Sequence, residues 1–335
     1  MNTGLSNITF TLCSNNYLAQ AKTLGDSFLK YHHDMKFIIG LVDAYNDQID
    51  YSQFSAFTII PVATIEIPDL QDLSDKFDIV ELNTAVKPFY FSYFFKELNA
   101  GKVIYLDPDT RVFSPLEEVL NLMDAYNIIL TPQLCEPTDD GHSPTDQTLL
   151  ITGTFNLGFI ALSGYTNLKD FLKWWTDRVV KYGFAKPGQH MFYDQLIINL
   201  VPAYFDNYYI LRNKGYNMAG WNMYERTITT QNEQEVLING DIPLRFFHYS
   251  GYQFNKPDVI CKYNDRYDFI SRPDVKKIFN DYQQLVMGNN YQALNKVEPA
   301  YNKKELPPVE VVKISTSKKI AQRLKRTARV FLGYE

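Results

Sequence analysis

Val103-Ile104-Tyr105-Leu106-Asp107-Pro108-Asp109 is a short apolar run that breaks off into two carboxylates separated by a proline. On an extended backbone, residues i and i+2 leave the same side, so both carboxylates can face one point beyond the strand. Pro108 fixes its own φ and biases Asp107 towards an extended conformation. Two hard oxygen donors held this way suit Mg²⁺ or Mn²⁺, which can in turn hold a phosphate. The same residues also suit a solvated turn, since Asp and Pro are ordinary turn formers.

Outward from this stretch, strand-like and helix-like segments alternate. Ile8–Cys13 reads as a strand, and Tyr17, Ala21, Leu24, Phe28 and Tyr31 follow at helical spacing, with Ser14, Asn15 or Asn16 as cap. Phe37–Val42 is a buried-type strand ending at Asp43, and Phe57–Ile67 is a β-rich run. Thr84 is placed to cap an aromatic helix to about Leu98, with Pro88 tolerable in its first turn. Ser114-Pro115-Leu116-Glu117 has the form of a capping box with proline at N1 and predicts a helix through about Tyr126. Asn127–Thr131 reads as the next strand. The alternation predicts an α/β fold with a mostly parallel, doubly wound sheet, whose ligands bind beyond the carboxyl ends of the strands. Asp107 and Asp109 sit at such an end.

The second half is less regular. Pro132–Thr148 is a polar loop long enough to be functional or mobile. Phe155–Ser163 reads as a strand, Leu168–Tyr182 and Phe192–Leu200 as helices, and Tyr208–Leu211 and Arg245–Tyr249 as short strands. Pro273–Met287 is helical, and Leu306-Pro307-Pro308 reads as a linker to a tail.

At 335 residues the chain allows one large or two unequal domains. Aromatic residues make up 15%, with 24 Tyr and 23 Phe, which supplies polar-tipped rings suited to flat ligands such as bases and sugars. Cys13, Cys135 and Cys261 are odd in number and widely spaced, so neither a disulfide framework nor a zinc site is expected, and a reducing compartment is. The first seven residues lack the basic and apolar regions of a signal peptide, and no uncharged apolar run approaches the ~18 residues of a membrane span.

The net charge of −5 hides an asymmetry. Of 33 basic residues, seven fall within 311–334 with no acidic residue among them, leaving 26 basic against 38 acidic elsewhere. An acidic body argues against nucleic acid as the main partner. In the tail, Ile320, Ala321, Leu324, Ala328, Phe331 and Leu332 share one helical face, opposite Lys318, Lys319, Lys325, Arg326 and Arg329. That pattern fits an anionic membrane surface, reached through 313–332, or a helix docked on the acidic body.

Several further groups carry chemistry, each with a plainer alternative. Ser14-Asn15-Asn16-Tyr17, where the first strand meets its helix, offers amides, a ring and a helix N-terminus to a nucleotide, or simply a cap with a core tyrosine. Asp43 could accept from a ribose hydroxyl, or close a turn. His248, in Phe246-Phe247-His248-Tyr249-Ser250-Gly251, could join two carboxylates on one metal, or be a hydrogen-bonded core histidine. Gly251 and Lys256-Pro257 could bring an N–H and an ammonium to a diphosphate, or form a surface turn. Asp194-Gln195 opens an apolar helical stretch, where a first-turn acid suits the helix dipole. Asn156 and Gly158 interrupt an apolar strand, and the amide there needs a partner, internal or on a ligand.

Taken in order, from about Thr9 to Pro257, these motifs resemble the GT-A glycosyltransferases, specifically the retaining, family-8-like nucleotide-sugar enzymes. Ser14-Asn15-Asn16-Tyr17 is similar to the family's Asp/Asn-Asn-Tyr base motif, and Tyr105-Leu106-Asp107-Pro108-Asp109 to its metal-binding Asp-x-Asp. Phe155-Asn156-Leu157-Gly158 is similar to its Phe-Asn-Ala-Gly, Asp194-Gln195 to its Asp-Gln, and His248 through Pro257 to its His-x-x-Gly-x-x-Lys-Pro. Departures are two extra residues between Gly251 and Lys256, Asp258 in place of Trp, and Leu196 in place of an acid. Lys87 stands where the family often has arginine, which keeps charge but loses bidentate geometry.

The resemblance implies nucleotide contacts at Thr11, Asn16, Tyr17, Asp43, Lys87, Gly251 and Lys256, and donor-sugar contacts at Asn156, Gly158 and Asp194. It implies catalytic roles for Gln195 and Asp194, and Mn²⁺ or Mg²⁺ on Asp107, Asp109 and His248. It also implies a GT-A catalytic domain at 1–260, divided near 133 into nucleotide-binding and donor-sugar/acceptor halves. A helical part at 261–305 and a linker and tail at 306–335 would follow. The expected activity is sugar transfer from a UDP-sugar or similar donor to a hydroxyl of a surface glycan or glycolipid, in the cytoplasm or on the inner face of the plasma membrane. The alternatives are a metal-dependent nucleotidyltransferase or phosphohydrolase, and a non-catalytic sugar-nucleotide-binding module.

Overall fold

The computed structural model describes residues 6–232, 235–263 and 266–302. The expected linker at Leu306-Pro307-Pro308 and the basic helix at 313–332 lie outside the described residues. The strands that build the site are β1 (Ser6–Cys13), β2 (Lys36–Leu41), β3 (Thr58–Pro61), β4 (Ala100–Leu106) and β5 (Thr110–Val112). They continue with β6 (Ile128–Pro132), β7 (Phe155–Ser163), β8 (Tyr208–Ile210), β9 (Met218–Ala219) and β10 (Phe246–His248). The principal helices are α1 (Leu18–Leu29), α2 (Ile79–Ala85), α3 (Lys87–Lys96), α4 (Glu117–Leu122), α5 (Asp146–Thr152), α6 (Tyr165–Tyr182), α7 (Gln195–Ile198) and α8 (Lys276–Gly288).

Seven strands form one sheet in the order β8-β6-β7-β4-β1-β2-β3. β1 runs parallel to β2 and β4, β2 to β3, and β8 to β6. Only β7 is reversed against both its neighbours, β4 and β6. The α/β sheet expected from the alternation is therefore mostly parallel with one antiparallel strand. All nine residues of β7 are buried, as a central strand covered on both faces requires.

Strand alternation sorts the core into two layers. Ile8, Phe10, Leu12, Val103 and Tyr105 face Phe91 and Phe94 of α3 and Trp175 of α6. Phe37, Ile39, Leu41, Ile104 and Leu106 face Leu24 and Phe28 of α1 and join Ile278, Phe279 and Tyr282 of α8. Helix α8 thus belongs to the same core as the sheet. No helix among the described residues is long and apolar enough to cross a membrane.

Several local expectations give way. Thr84 does not cap the aromatic helix: it ends α2, where its hydroxyl donates back to Val80 and Glu81 carbonyls. Pro88 does lie in the first turn of α3. Ser114 forms no capping box, because its hydroxyl donates to the Leu244 carbonyl and α4 starts later, at Glu117. The Phe57–Ile67 run yields only β3, and Phe192–Leu200 yields the short α7. The Pro132–Thr148 loop ends early, where Thr145 and Thr148 form a reciprocal cap on α5.

The N–H of Leu116, at the entry to α4, donates instead to Nε2 of the buried His32 at 2.9 Å. Burial holds the His32 pKa below its ordinary value, and only the neutral ring can accept that bond. A lowered folded-state pKa means the contribution is complete above the unfolded value near ~6.5 and is lost as pH falls from there through the folded value. Urea unfolding between pH 7.5 and 5.5 (conditions spanning about one unit either side of that value) should show stability falling on acidification. His32→Asn should flatten that slope, and identical slopes in the two proteins would refute the assignment.

Candidate active site

β4 ends at Leu106, but its ladder runs one residue further, since Asp107 N–H donates to Gly158 carbonyl on β7 at 2.9 Å. The chain then turns, with Thr110 N–H donating to Asp107 carbonyl at 3.1 Å and Pro108 at the second turn position, which proline favours. The two carboxylates therefore bracket a turn rather than continuing an extended strand. After the turn, β5 pairs antiparallel with β10, setting Thr110 opposite His248. Tyr249 N–H adds a bond to Asp109 carbonyl at 2.8 Å.

This small second sheet, ordered β9-β10-β5, carries the buried imidazole to the carboxylates. His248 Nε2 stands 3.1 Å from Asp109 Oδ1 and 3.5 Å from Asp107 Oδ2. One donor atom from each of the three residues lies within 4.8 Å of the others. Donors at right angles around a cation ~2.1 Å away stand about 3 Å apart, so two carboxylates and an imidazole spaced this way fit Mn²⁺ or Mg²⁺. Tyr105 O–H donates to Asp107 Oδ1 at 2.5 Å and orients that carboxylate. Burial pushes His248 down, but the charges of Asp109 and Asp107 more than offset it and raise its pKa. Burial raises that of Asp107 against the lowering charges of His248 and Lys87.

Two neighbours fix the ring. Trp221 meets it edge-on at 5.3 Å, and Gly158 leaves open the space beside it that a side chain would fill. A Cβ on Gly158 would strike Cε1 and lie 2.7 Å from Nδ1. Gly158, expected as a donor-sugar contact, makes room for the His248 ring. Gly158→Ala should displace His248 and weaken Mn²⁺ binding by about 10–100-fold, the range for a disturbed ligand support. Titration followed by Mn²⁺ EPR checks this, and wild-type affinity in a folded variant would refute it.

A second group lies beside the first. Gln195, opening α7, accepts at Oε1 from Asn156 Nδ2 (3.2 Å) and donates from Nε2 to Thr152 carbonyl (2.7 Å). Asn156 Oδ1 accepts from Gly158 N–H and from Asn217 Nδ2, both at 3.1 Å. Asn217, missed in the sequence, is buried at a φ of 54°. Its signal was the one that marked Asn156: an amide inside an apolar run. Its segment is held by the buried Arg226, which donates to Tyr216 and Asn217 carbonyls.

Lys87 and Asp194, each 1% exposed, form an ion pair at 2.8 Å. Lys87 Nζ also donates to Leu157 carbonyl at 3.0 Å and sits 4.3 Å above the Tyr105 ring. The ammonium is thus held inside the protein by a carboxylate, a carbonyl and a ring. Burial raises the Asp194 pKa against the lowering charge of Lys87. Tyr105, also missed, links the two groups; it lies two residues before Asp107, on the same strand face by alternation.

The nucleotide-side residues are less unified. Tyr17 is 43% exposed, and burial of its phenol together with the Asp109 charge pushes its pKa up to about 12. Asn16 is half-buried beside it. Asp43 is enclosed, accepting from Asn15 N–H at Oδ2 and from Ala44 and Ala300 N–H at Oδ1. Those three backbone bonds make it a clamp between loops. Thr11 is fully enclosed in β1 and lines no open surface. Gly251, at a φ of 76°, packs against Cys261 and Tyr263. Lys256 is exposed on the following turn.

No protein-family model matches the chain. A curated relative, the uncharacterized protein YfnF of Bacillus subtilis (strain 168), is 24% identical over 300 residues, which is 87% of this chain and 95% of YfnF. Among solved structures, the galactosyltransferase LgtC in complex with donor and acceptor sugar analogues is similar at a TM-score of 0.48 and 16% identity, over 84% of this chain and 95% of LgtC. The glycosyltransferase GlyE of Streptococcus pneumoniae TIGR4 is similar at a TM-score of 0.47 and 14% identity, over 88% of this chain and 66% of that one.

Proposed function

We propose that the chain is a metal-dependent glycosyltransferase that moves a sugar from a nucleotide diphosphate sugar, a UDP-sugar by the sequence resemblance, to a hydroxyl of a glycan or glycolipid. One observation carries this reading: Asp107, Asp109 and His248 converge at the carboxyl end of β4, beside the Asn156–Gln195 amide pair. That is where an α/β sheet of this kind binds ligands. Asp107, Asp109 and His248 Nε2 would hold Mn²⁺ or Mg²⁺, whose Lewis acidity would stabilise charge on the departing diphosphate.

The chain's own residues do the rest. Tyr17, 43% exposed, offers a ring face to the base. Asn156 and Gln195 already fix each other's orientation, so little ordering remains when a sugar arrives. Gln195 Oε1 is a neutral oxygen suited to a positively charged anomeric centre, in keeping with transfer by retention. Asp194, anchored by Lys87, holds the start of α7 so that Gln195 stays in register. Lys87 acts here as a positioning residue.

Screening nucleotide sugars for Mn²⁺-stimulated hydrolysis, with product analysis by mass spectrometry, tests the reading. Release of free sugar and nucleoside diphosphate is expected. Consumption of nucleoside triphosphates without any glycosidic chemistry would replace it with nucleotidyl transfer or phosphohydrolysis. Metal-independent binding without turnover would make the chain a binding module.

A further inference from the structure

Backbone groups fix the Asn156–Gln195 pair at both ends. Gly158 N–H can only donate, so Asn156 turns Oδ1 to it and Nδ2 to Gln195 Oε1. Thr152 carbonyl can only accept, so Gln195 turns Nε2 to it. Gly158, however, lies on the same strand as Asn156 and moves with it. Among the described residues, one contact holds the Asn156 oxygen from a different part of the fold: Asn217 Nδ2, at 3.1 Å. The same nitrogen donates to Thr131 Oγ1 on β6 at 3.0 Å, so both of its hydrogens are engaged.

The backbone alone does not call for an amide at this position. Glycine would meet a φ of 54° without burying a polar side chain. Asn217 is instead 1% exposed, and its Oδ1 has no hydrogen-bond partner among the described residues, which is unfavourable. The two bonds donated by Nδ2 offset that cost. Arg226 Nη1 at 2.9 Å and Asn222 Nδ2 at 3.0 Å clasp the Asn217 carbonyl, which fixes the direction in which the side chain leaves.

The same short segment also reaches the carboxylate–histidine group. Ala219 pairs with His248 across β9 and β10, and Trp221 meets the His248 ring. Trp221 Nε1 and Asn222 Nδ2 both donate to the Gln133 carbonyl, which ties the segment down behind these contacts. Residues 217–222 therefore support both halves of the site, and Asn217 is their contact to the amide pair.

We propose that Asn217 is a positioning residue that acts through Asn156: it holds the Asn156 amide, and through it Gln195, in the orientation that meets the sugar. This role rests on the transferase reading above. Hydrolysis of the nucleotide sugar that the wild type turns over tests it. Asn217→Gly suits the backbone and deletes only the amide. Asn217→Asp keeps the shape and, ionised, cannot donate, so either variant reports if the other fails to fold. In both, kcat should fall about ten- to a hundredfold, the effect of a misplaced reacting group. Affinity for the corresponding nucleoside diphosphate with Mn²⁺, followed by isothermal titration, should stay at the wild-type value. In an Asn156→Ala background, Asn217→Gly should cost nothing further, because the residue it acts through has lost its amide. Losses that multiply in the double variant would overturn the proposal, since Asn217 would then act independently of Asn156. So would wild-type kcat in either folded single variant, or an equal loss of diphosphate affinity, which would mark general damage to the site. Those outcomes leave the wild-type activity standing. Absence of turnover in the wild type itself would remove the transferase reading and this role with it.

Discussion

Asp109→Asn should lower metal-dependent donor turnover by about a hundred- to a thousand-fold, the effect of removing one aligned electrostatic group from a site of this kind. Asp109 makes the closest approach to His248, and the change keeps its shape while deleting the charge. At 26% side-chain exposure the carboxylate is open enough that folding should survive. Mn²⁺ affinity, followed by EPR of the free ion, should fall in parallel.

A pH signature accompanies it. The raised His248 pKa means that, without metal, the ring holds its proton further into the neutral range, so metal must displace that proton and affinity should rise with pH. For the metal-free protein the sign is the reverse of that for His32. The ion-paired histidine contributes stability fully below the unfolded value near ~6.5, and this is lost as pH rises through the folded value. In Asp109→Asn both dependences should flatten. Wild-type turnover, or a pH profile of metal binding unchanged by the substitution, would refute the assignment of this group.

What could be read in the sequence was local or periodic. β7 matches the stretch Phe155–Ser163 end to end, because a strand buried on both faces is uniformly apolar. Asp107 and Asp109 could be placed at a strand end from seven consecutive residues. From its own residues His248 was equally a core histidine, since its approach to them depends on β10 pairing with β5. The missed features are long-range. Ser114 looks like a cap until Leu244, 130 residues on, takes its hydroxyl. Asp43 looks open until Ala300 N–H, 257 residues on, closes over it. Lys87 gives no sign in the sequence of its ion pair with Asp194, 107 residues away. A side chain with several potential partners does not announce which one the fold will deliver.

That buried pair is where the largest stability effect should fall. Lys87→Met would leave the Asp194 carboxylate enclosed without its cation, a change that typically costs about 3–5 kcal/mol against a total of roughly 5–15 kcal/mol for a protein. Burial already raises the Asp194 pKa, so removing Lys87, whose charge lowers it, should raise it further. Turnover should fall as well, because the same ammonium anchors the start of α7 and lies over Tyr105, which orients Asp107. Lys87→Arg keeps the charge but places a larger planar group in an enclosed space, so it should recover stability only in part. Lys87→Met combined with Asp194→Leu separates the two roles. Replacing both charges by apolar groups removes the uncompensated carboxylate and should restore much of the stability lost in Lys87→Met. Turnover should stay low, since neither the anchor on Gln195 nor the cation over Tyr105 returns. Urea unfolding and donor hydrolysis measure the two quantities independently. A cost below about 1 kcal/mol in Lys87→Met would show that the pair is not the buried unit its geometry describes. Full turnover in the double variant would show that it plays no part in the site.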